Sequence, residues 1–556
     1  MKKISFLAMG LLLGLSVFAQ QPMSQSEKFK RLLGMLNDNY TSAIDSVKLT
    51  DAAIGKVLEE LDPHSSYILA KDLKRTEEGL VGNFEGIGIT FQILHDSILV
   101  LEVIPGGPSE KVGLKAGDKI VKIDDTIVST WKVDNEMVVK HLRGQKGTKV
   151  NIEVVRKGQQ NTLPLTITRD KIPIYSIEAS YMADSTTGYI RLTRFSATTM
   201  TEFYQAVDKL RSQGMKDLIM DLQGNSGGYL MTAIQLCDEF LGEKDLIVYT
   251  EGAHAKKDEY FSDTKGVMKD GRVVVLVDES SASASEIFAG CMQDLDRGLI
   301  VGRRTFGKGL VQKPYGFPDG SVARITIAHY YTPSGRCIQR SYENGKKDYY
   351  DEFSRRLKSG ELFGSDTVVF PDSLLFYTKH KRTVYGGGGI VPEFFIPIDT
   401  SMNSAFYQNI RGKGTLNNFT LDYADRNRSR FNKEFANSTD FVNRFNVTDD
   451  LLEELYRAGD RDSVKRDAAQ MARSKPLLQN QVKALIARDL YDNTAFWMVT
   501  NQIQDAFRKG LSLMHSDKFD LLIPSKKEMK RVEKEQRKRE KEKMEKAGER
   551  TELKAK

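Results

Sequence analysis

Serine and lysine residues that could act as nucleophile and base lie between positions 279 and 312. The stretch reads Glu279-Ser-Ser-Ala-Ser-Ala-Ser-Glu-Ile-Phe-Ala-Gly290 and later Val301-Gly-Arg-Arg-Thr-Phe-Gly-Lys-Gly-Leu-Val-Gln312. An apolar run over 273–277 predicts a buried strand and 286–294 a helix, so Ser281, Ser283 and Ser285 fall at a sharp strand-to-helix junction. There a hydroxyl stands at the sheet edge, with the N–H of Ala284 and the positive helix end facing any oxyanion formed beside it. Lys308 sits between two glycines, with Phe306 and Leu310 nearby and no adjacent carboxylate. Desolvation lowers an ammonium pKa, and a neutral lysine takes a serine proton without a histidine. The same Ser283-Ala-Ser-Glu286 run is also a capping box, in which the serine would serve the helix. One hydroxyl can hardly do both.

Two other loops suggest different chemistry. Gly224-Asn-Ser-Gly-Gly228 is similar to the nucleophile loop of chymotrypsin-like proteases, but the chain ahead of Ser226 is too short for the two barrels that would carry His and Asp. The glycine pair suits a turn whose N–H groups point into a site, as an oxyanion hole requires. Gly302 to Gly309 nearly spells a phosphate-binding loop, yet Gly309 replaces the magnesium-binding Ser or Thr and Pro314 forbids the helix that should follow. Nucleotide is thereby excluded. Cys237, Cys291 and Cys337 form no metal-ligand or disulfide pattern and read as small buried hydrophobes. His64, after Asp62-Pro63, reads as a turn histidine.

The net charge of +7 is concentrated at the ends. Residues 525–556 carry fourteen Lys or Arg against eight Glu, and Lys2 and Lys3 add two more charges. The body between is near neutral, which excludes a basic nucleic-acid surface. Residues 1–19, two lysines followed by an apolar run and small residues, read as a secretory signal peptide, and no later stretch is apolar and long enough to span a bilayer. The expected protein is exported, periplasmic or in the cell envelope, and soluble once the signal is removed. The charged tail reads as a solvated helix or a disordered segment.

The elements that must position the chemistry follow in order. Helices are expected over 27–40 and 50–61. Short strands and glycine turns run from Gly86, with strands over 97–104 and 149–155 and a helix over 135–142. From 171 strands and helices alternate, which predicts an α/β core with a mostly covered sheet: strands over 188–193, 217–222, 246–250 and 273–277, helices over 200–213 and 229–241, and a strand over 322–331. After about 415 the chain turns helical and polar, with helices around 478–486 and over 495–513.

Gly86-Ile-Gly-Ile89 and Gly113-Leu-Lys-Ala-Gly-Asp-Lys-Ile120 resemble a PDZ domain. That resemblance implies a carboxylate-binding loop at Gly86, Ile87, Gly88 and Ile89 and a strand edge that accepts an extended peptide. Ser281-Ala-Ser-Ala-Ser-Glu286 together with Gly302 to Gln312 resembles the carboxy-terminal processing peptidases, or tail-specific proteases, over about 27–397. The resemblance implies a multidomain α/β protein with a ClpP/crotonase-like protease core. The expected division is a signal peptide (1–19), a helical segment (20–80), an inserted PDZ domain (81–170), a Ser/Lys peptidase core (171–400), a helical C-terminal extension (401–524) and the charged tail (525–556). It implies Ser283 as nucleophile, Lys308 as general base, Gln312 as the residue orienting the lysine, Asp294 as possible support, and oxyanion donors at Ala284 and at Gly227 or Gly228. Gly224-Asn225-Ser226 departs mildly from the family's usual turn. The function implied is that of a serine endopeptidase acting through an acyl-enzyme on proteins with exposed apolar C-termini, needing no metal or cofactor, with an envelope adaptor as a further partner. The reading from another class is a non-catalytic PDZ scaffold of the envelope, against which the intact Ser283 and Lys308 argue.

Overall fold

A computed structural model describes residues 23–523, apart from 95–96, 105, 131–133, 157, 264–265 and 365–369. The expected signal peptide and charged tail lie outside the described residues. Among those described, no helix is long and apolar enough to cross a membrane.

The frame of the core is a six-stranded sheet in the order Ile177–Met182, Thr187–Leu192, Asp217–Asp221, Val273–Val277, Leu299–Gly302, Phe394–Phe395. Its first pair is antiparallel and the rest are parallel. Strand side chains alternate between faces, and both faces are apolar. Val273, Val275 and Val277 enter a core with helices Thr199–Ser212, Leu230–Asp238 and Ala284–Asp294. Val274 and Leu276 enter a second core with Phe507, Leu513, Met514 and Phe519. The sheet is covered on both sides as expected, but the second cover comes from helices Asp505–Met514 and Asp517–Leu522 of the C-terminal extension.

A second, five-stranded antiparallel sheet centres on the long strand Val322–Tyr331, which pairs with Leu246–Glu251, Leu310–Gly316 and Ser66–Ile68. The last of these is unexpected. The N-terminal segment was read as helical, and helices Gln25–Asn39, Ser46–Glu59 and Ala70–Val81 do form, but Ser66 pairs with Arg324 and joins the segment to the core.

The chain leaves the core along Asn83–Gly86 and returns along Asp170–Pro173, and these two strands pair with each other as a stem. Between them the sheet Ile89–Leu94, Ser97–Val103, Lys119–Ile123, Lys149–Val155, Leu163–Thr168 packs Ile98, Val100, Ile120, Val150 and Val154 into its own core with Val138 of helix Asn135–Leu142. The extension adds a fourth core around Phe431, Phe441, Leu455, Leu478 and Val482. Its expected helix over 495–513 is two, Asn493–Thr500 and Asp505–Met514, interrupted where Asn501 Nδ2 donates to the Tyr181 hydroxyl (2.8 Å).

Candidate active site

Strand Val273–Val277 ends in a turn, and Ser283 opens helix Ala284–Asp294 at φ 56°, ψ −115°. A non-glycine residue held there stores on the order of 1–3 kcal/mol of strain, which surrounding bonds must over-determine. They do so through the neighbouring serines. The Ser281 hydroxyl donates to the Leu222 carbonyl and the Ser285 hydroxyl to the Asn225 carbonyl, both at 2.8 Å and both fully buried. Two of the three serines are therefore used as braces, and the half-buried Ser283 is the one whose hydroxyl is left over.

Ser283 and Glu286 face each other as a capping box. Ser283 N–H donates to Glu286 Oε2 (2.8 Å), whereas Glu286 N–H donates to the Ser283 carbonyl (2.9 Å) and the Ser283 side chain makes no cap hydrogen bond.

Glu286 is the residue the sequence reading missed. It is fully buried and accepts four bonds: Ser283 N–H and Lys308 N–H at Oε2 (2.8 Å each), Gly307 N–H (2.7 Å) and the Thr305 hydroxyl (2.5 Å) at Oε1. One oxygen atom thus holds the backbone of both Ser283 and Lys308. On the other side the Tyr330 hydroxyl lies between the Ser283 carbonyl (3.1 Å) and the Lys308 carbonyl. Burial pushes the Glu286 pKa up to about 7, opposed by its four donors. An acidic third residue after a serine signals a helix cap in any sequence; its tie to 305–308 is non-local and leaves no local pattern.

Lys308 is half-buried, and no carboxylate lies within ion-pair distance of it among the described residues. Burial first, then the neighbouring Arg324 charge, lower its pKa from the ordinary lysine value. His64 packs edge-on against Phe306, its Nε2 2.8 Å from the Tyr349 hydroxyl. Burial and the Lys308 charge depress it to about 4, so this histidine, in a turn as expected with its N–H held by Asp62 (2.7 Å), is neutral and also borders the site.

The glycine turn lies against the serine. A Cβ on Gly227 would stand 2.9 Å from Ala284 N and 2.9 Å from Ser283 Cβ. Gly227 N–H, however, donates to Asn225 Oδ1 (2.9 Å), which removes it from the expected oxyanion donors. Gly228 pairs with Phe195 through its flanking groups, Gly227 C=O and Tyr229 N–H, which turns its own N–H the other way. Gly228 and Ala284 N–H donate to no acceptor among the described residues.

Two further expectations meet the structure differently. Gln312 lies on strand Leu310–Gly316, and its amide donates to Thr326 Oγ1 (3.2 Å) instead of reaching Lys308. Asp294 ends the helix that Ser283 begins, ~16 Å away by helical rise. There it pairs with Arg336 (2.7 Å, both side chains fully buried) and accepts from Ser334 (2.6 Å), an anchor for the helix end and not a member of the site. In the PDZ loop, Gly88 takes φ 77°, Ile87 is buried with its carbonyl held by the Ser109 hydroxyl (2.6 Å), and strand Ile89–Leu94 is the sheet edge.

Comparison with known proteins gives the arrangement its context. Peptidase family S41 matches residues 186–346, a PDZ domain residues 86–167, and a family of unknown function, DUF8443, residues 406–492. The carboxy-terminal processing protease CtpA of Bacillus subtilis (strain 168) is 34% identical over 325 residues, which cover 57% of this chain and 67% of that protein. This chain belongs to the carboxy-terminal processing proteases of peptidase family S41. The probable CtpA-like serine protease of Staphylococcus aureus (strain COL) is 34% identical over 317 residues, 57% of this chain and 63% of that one. Among solved structures, the photosystem II D1 C-terminal processing protease is similar at 31% identity over 56% of this chain and 83% of its own, with a TM-score of 0.34. This processing protease is thus a serine-type peptidase with a PDZ domain, and its extension, covering the second face of the catalytic sheet, is in part the DUF8443 region.

Proposed function

We propose that this protease is an exported endopeptidase that captures protein C-termini in its PDZ domain and cleaves the chain with a Ser283–Lys308 dyad. The observation that carries the reading is the double tie of Ser283 and Lys308, through Glu286 Oε2 on their N–H groups and Tyr330 on their carbonyls. Neutral Lys308 takes the Ser283 proton as Oγ attacks the scissile carbonyl carbon. The oxyanion is received by the N–H groups of Gly228 and Ala284. Collapse breaks the C–N bond, and the Lys308 ammonium returns the proton to the leaving amine, giving an acyl-enzyme. Water then gives its proton to Lys308 and attacks the ester, and a second collapse restores Ser283 and frees a carboxylate. Gln312 lies on the strand after Lys308, its amide held by Thr326 (3.2 Å). The loop Gly86–Ile89 receives the substrate's terminal carboxylate, and the chain adds as a strand along Ile89–Leu94. Export rests on the charged and apolar start of the sequence.

The domain division supporting this is a helical segment to residue 80, the PDZ domain over 81–170, the peptidase core over 171–400 and the extension over 401–524. The test is to incubate the parent, Ser283→Ala and Lys308→Ala with an unfolded protein bearing an apolar C-terminus. Cleavage by the parent alone is expected, and cleavage by both variants at the parent rate refutes the dyad. Amidating the substrate's C-terminus tests the PDZ role separately: unchanged cleavage removes it.

A further inference from the structure

The turn that presents Gly228 is intrinsically loose. Gly224, Gly227 and Gly228 all take positive φ (74°, 101° and 153°), and glycines order at a high entropic cost. Something outside the turn must hold it. On its upstream side that support is Arg191, a largely buried guanidinium on strand Thr187–Leu192. Its Nη1 donates to Asp221 Oδ2 (2.7 Å), its Nε to Glu178 (3.0 Å), and its Nη2 to the carbonyl of Gln223 (3.0 Å), the residue just before the turn. Asp221 Oδ1 accepts the Gln223 N–H (2.9 Å). Both backbone polar groups of Gln223 are therefore fixed by the Arg191–Asp221 pair.

This support is itself braced from the extension. The Trp497 ring lies 3.9 Å beneath the Arg191 guanidinium, and Gln504 Nε2 donates to Gln223 Oε1 (2.9 Å). Trp497 projects from helix Asn493–Thr500, and Gln504 caps the start of helix Asp505–Met514. The buried cover of the sheet is supplied by Phe507, Leu513, Met514 and Phe519, with the half-buried Trp497 packed at its margin, so the Gln504 contact is the one separable from the extension's packing role.

We propose that Trp497 and Gln504 are positioning residues for the oxyanion turn, acting through Arg191 and Gln223, so that the C-terminal extension sets transition-state stabilisation without touching substrate. The inference rests on the reading of Gly228 as an oxyanion donor. A turn displaced by a fraction of an ångström leaves substrate binding intact but weakens a bond needed only as charge develops on the carbonyl oxygen.

The experiment uses the full chain and compares the parent with Trp497→Ala, Trp497→Phe and Gln504→Ala, adding Ser283→Ala as a control. Steady-state kcat and KM are measured on a peptide with an apolar C-terminus, together with the Kd of a peptide boronate, whose tetrahedral serine adduct places an oxygen in the oxyanion hole. Since loss of one such donor costs about 10²–10³ in kcat, its displacement in Trp497→Ala should cost roughly tenfold or more. The boronate should weaken in parallel, with KM within about twofold because ground-state binding does not use the donor. Gln504→Ala should show the same split to a smaller degree, and Trp497→Phe, which keeps a ring under Arg191, should recover most of the loss. Unchanged kcat and boronate affinity in Gln504→Ala and in a folded Trp497→Ala overturn the inference. So does a loss in which KM rises as much as kcat falls. Should Trp497→Ala fail to fold, Gln504→Ala and Trp497→Phe decide by the same split. If the parent binds the boronate no better than Ser283→Ala does, the underlying reading of the site fails instead.

Discussion

At Ser283 the backbone conformation and the chemistry pull against each other. A residue with a Cβ is strained at φ 56°, ψ −115°, and a glycine is not, so Ser283→Gly should abolish cleavage while raising stability by about 1 kcal/mol over Ser283→Ala in urea denaturation. Glu286 carries the opposite tension. Its pKa of about 7 exceeds the ordinary 4.5, so the protonated form favours the fold. That contribution is complete below pH 4.5 and is lost as pH rises through about 7, on the order of 3 kcal/mol. Yet four donors converge on its oxygens, which is the coordination of the ionised form. Activity should therefore rise through about pH 7 while the parent's melting temperature falls relative to Glu286→Gln. Glu286→Gln itself, unable to accept at its amide nitrogen, leaves buried N–H groups unmet and should lose roughly 10–100-fold in kcat. A parent and variant with parallel melting curves from pH 5 to 8 would show that Glu286 does not titrate in this range.

Among the elements, legibility in sequence followed locality. The PDZ helix Asn135–Leu142 and strands Ser97–Val103 and Lys149–Val155 fell where periodicity placed them, because each carries its apolar pattern within its own few residues. Strand Ser66–Ile68 was not legible: three residues show no period, and its partner is some 250 positions away. Glu286 was visible as a helix cap but not as the tie to Lys308, and the role of Asp294, possible support or a helix-end carboxylate, depends on its distant partner Arg336. The glycine turn was recognised, but the choice between Gly227 and Gly228 depends on which N–H Asn225 takes. A methyl at Gly227 would stand 2.7 Å from the Ala282 carbonyl and 2.9 Å from Ala284 N. Gly227→Ala should thus cost about 10²–10³ in kcat by displacing the oxyanion turn, with peptide affinity of the PDZ domain, measured by fluorescence anisotropy, unchanged.

Across the whole molecule the extension is part of the catalytic body. The continuous apolar run Val273–Val277 announced a sheet covered on both faces, but which segment supplied the second cover could not be read from a polar helical tail. Phe507 packs against Tyr189 (5.4 Å between ring centres) and Tyr181. Phe507→Ala should cost about 3–5 kcal/mol and lower the unfolding midpoint of the catalytic core itself, followed by burial of the strand amides in hydrogen exchange. A loss confined to helices 405–500 would contradict that coupling. The central claim, that Ser283 is acylated with Lys308 as its base, is tested most directly by acid-quenching the enzyme during turnover of an activated ester and mapping the adduct by mass spectrometry. An acyl group on Ser283 in the parent, formed far more slowly in Lys308→Ala, is the predicted result. No adduct, or one on Ser226 or another residue, would contradict the account.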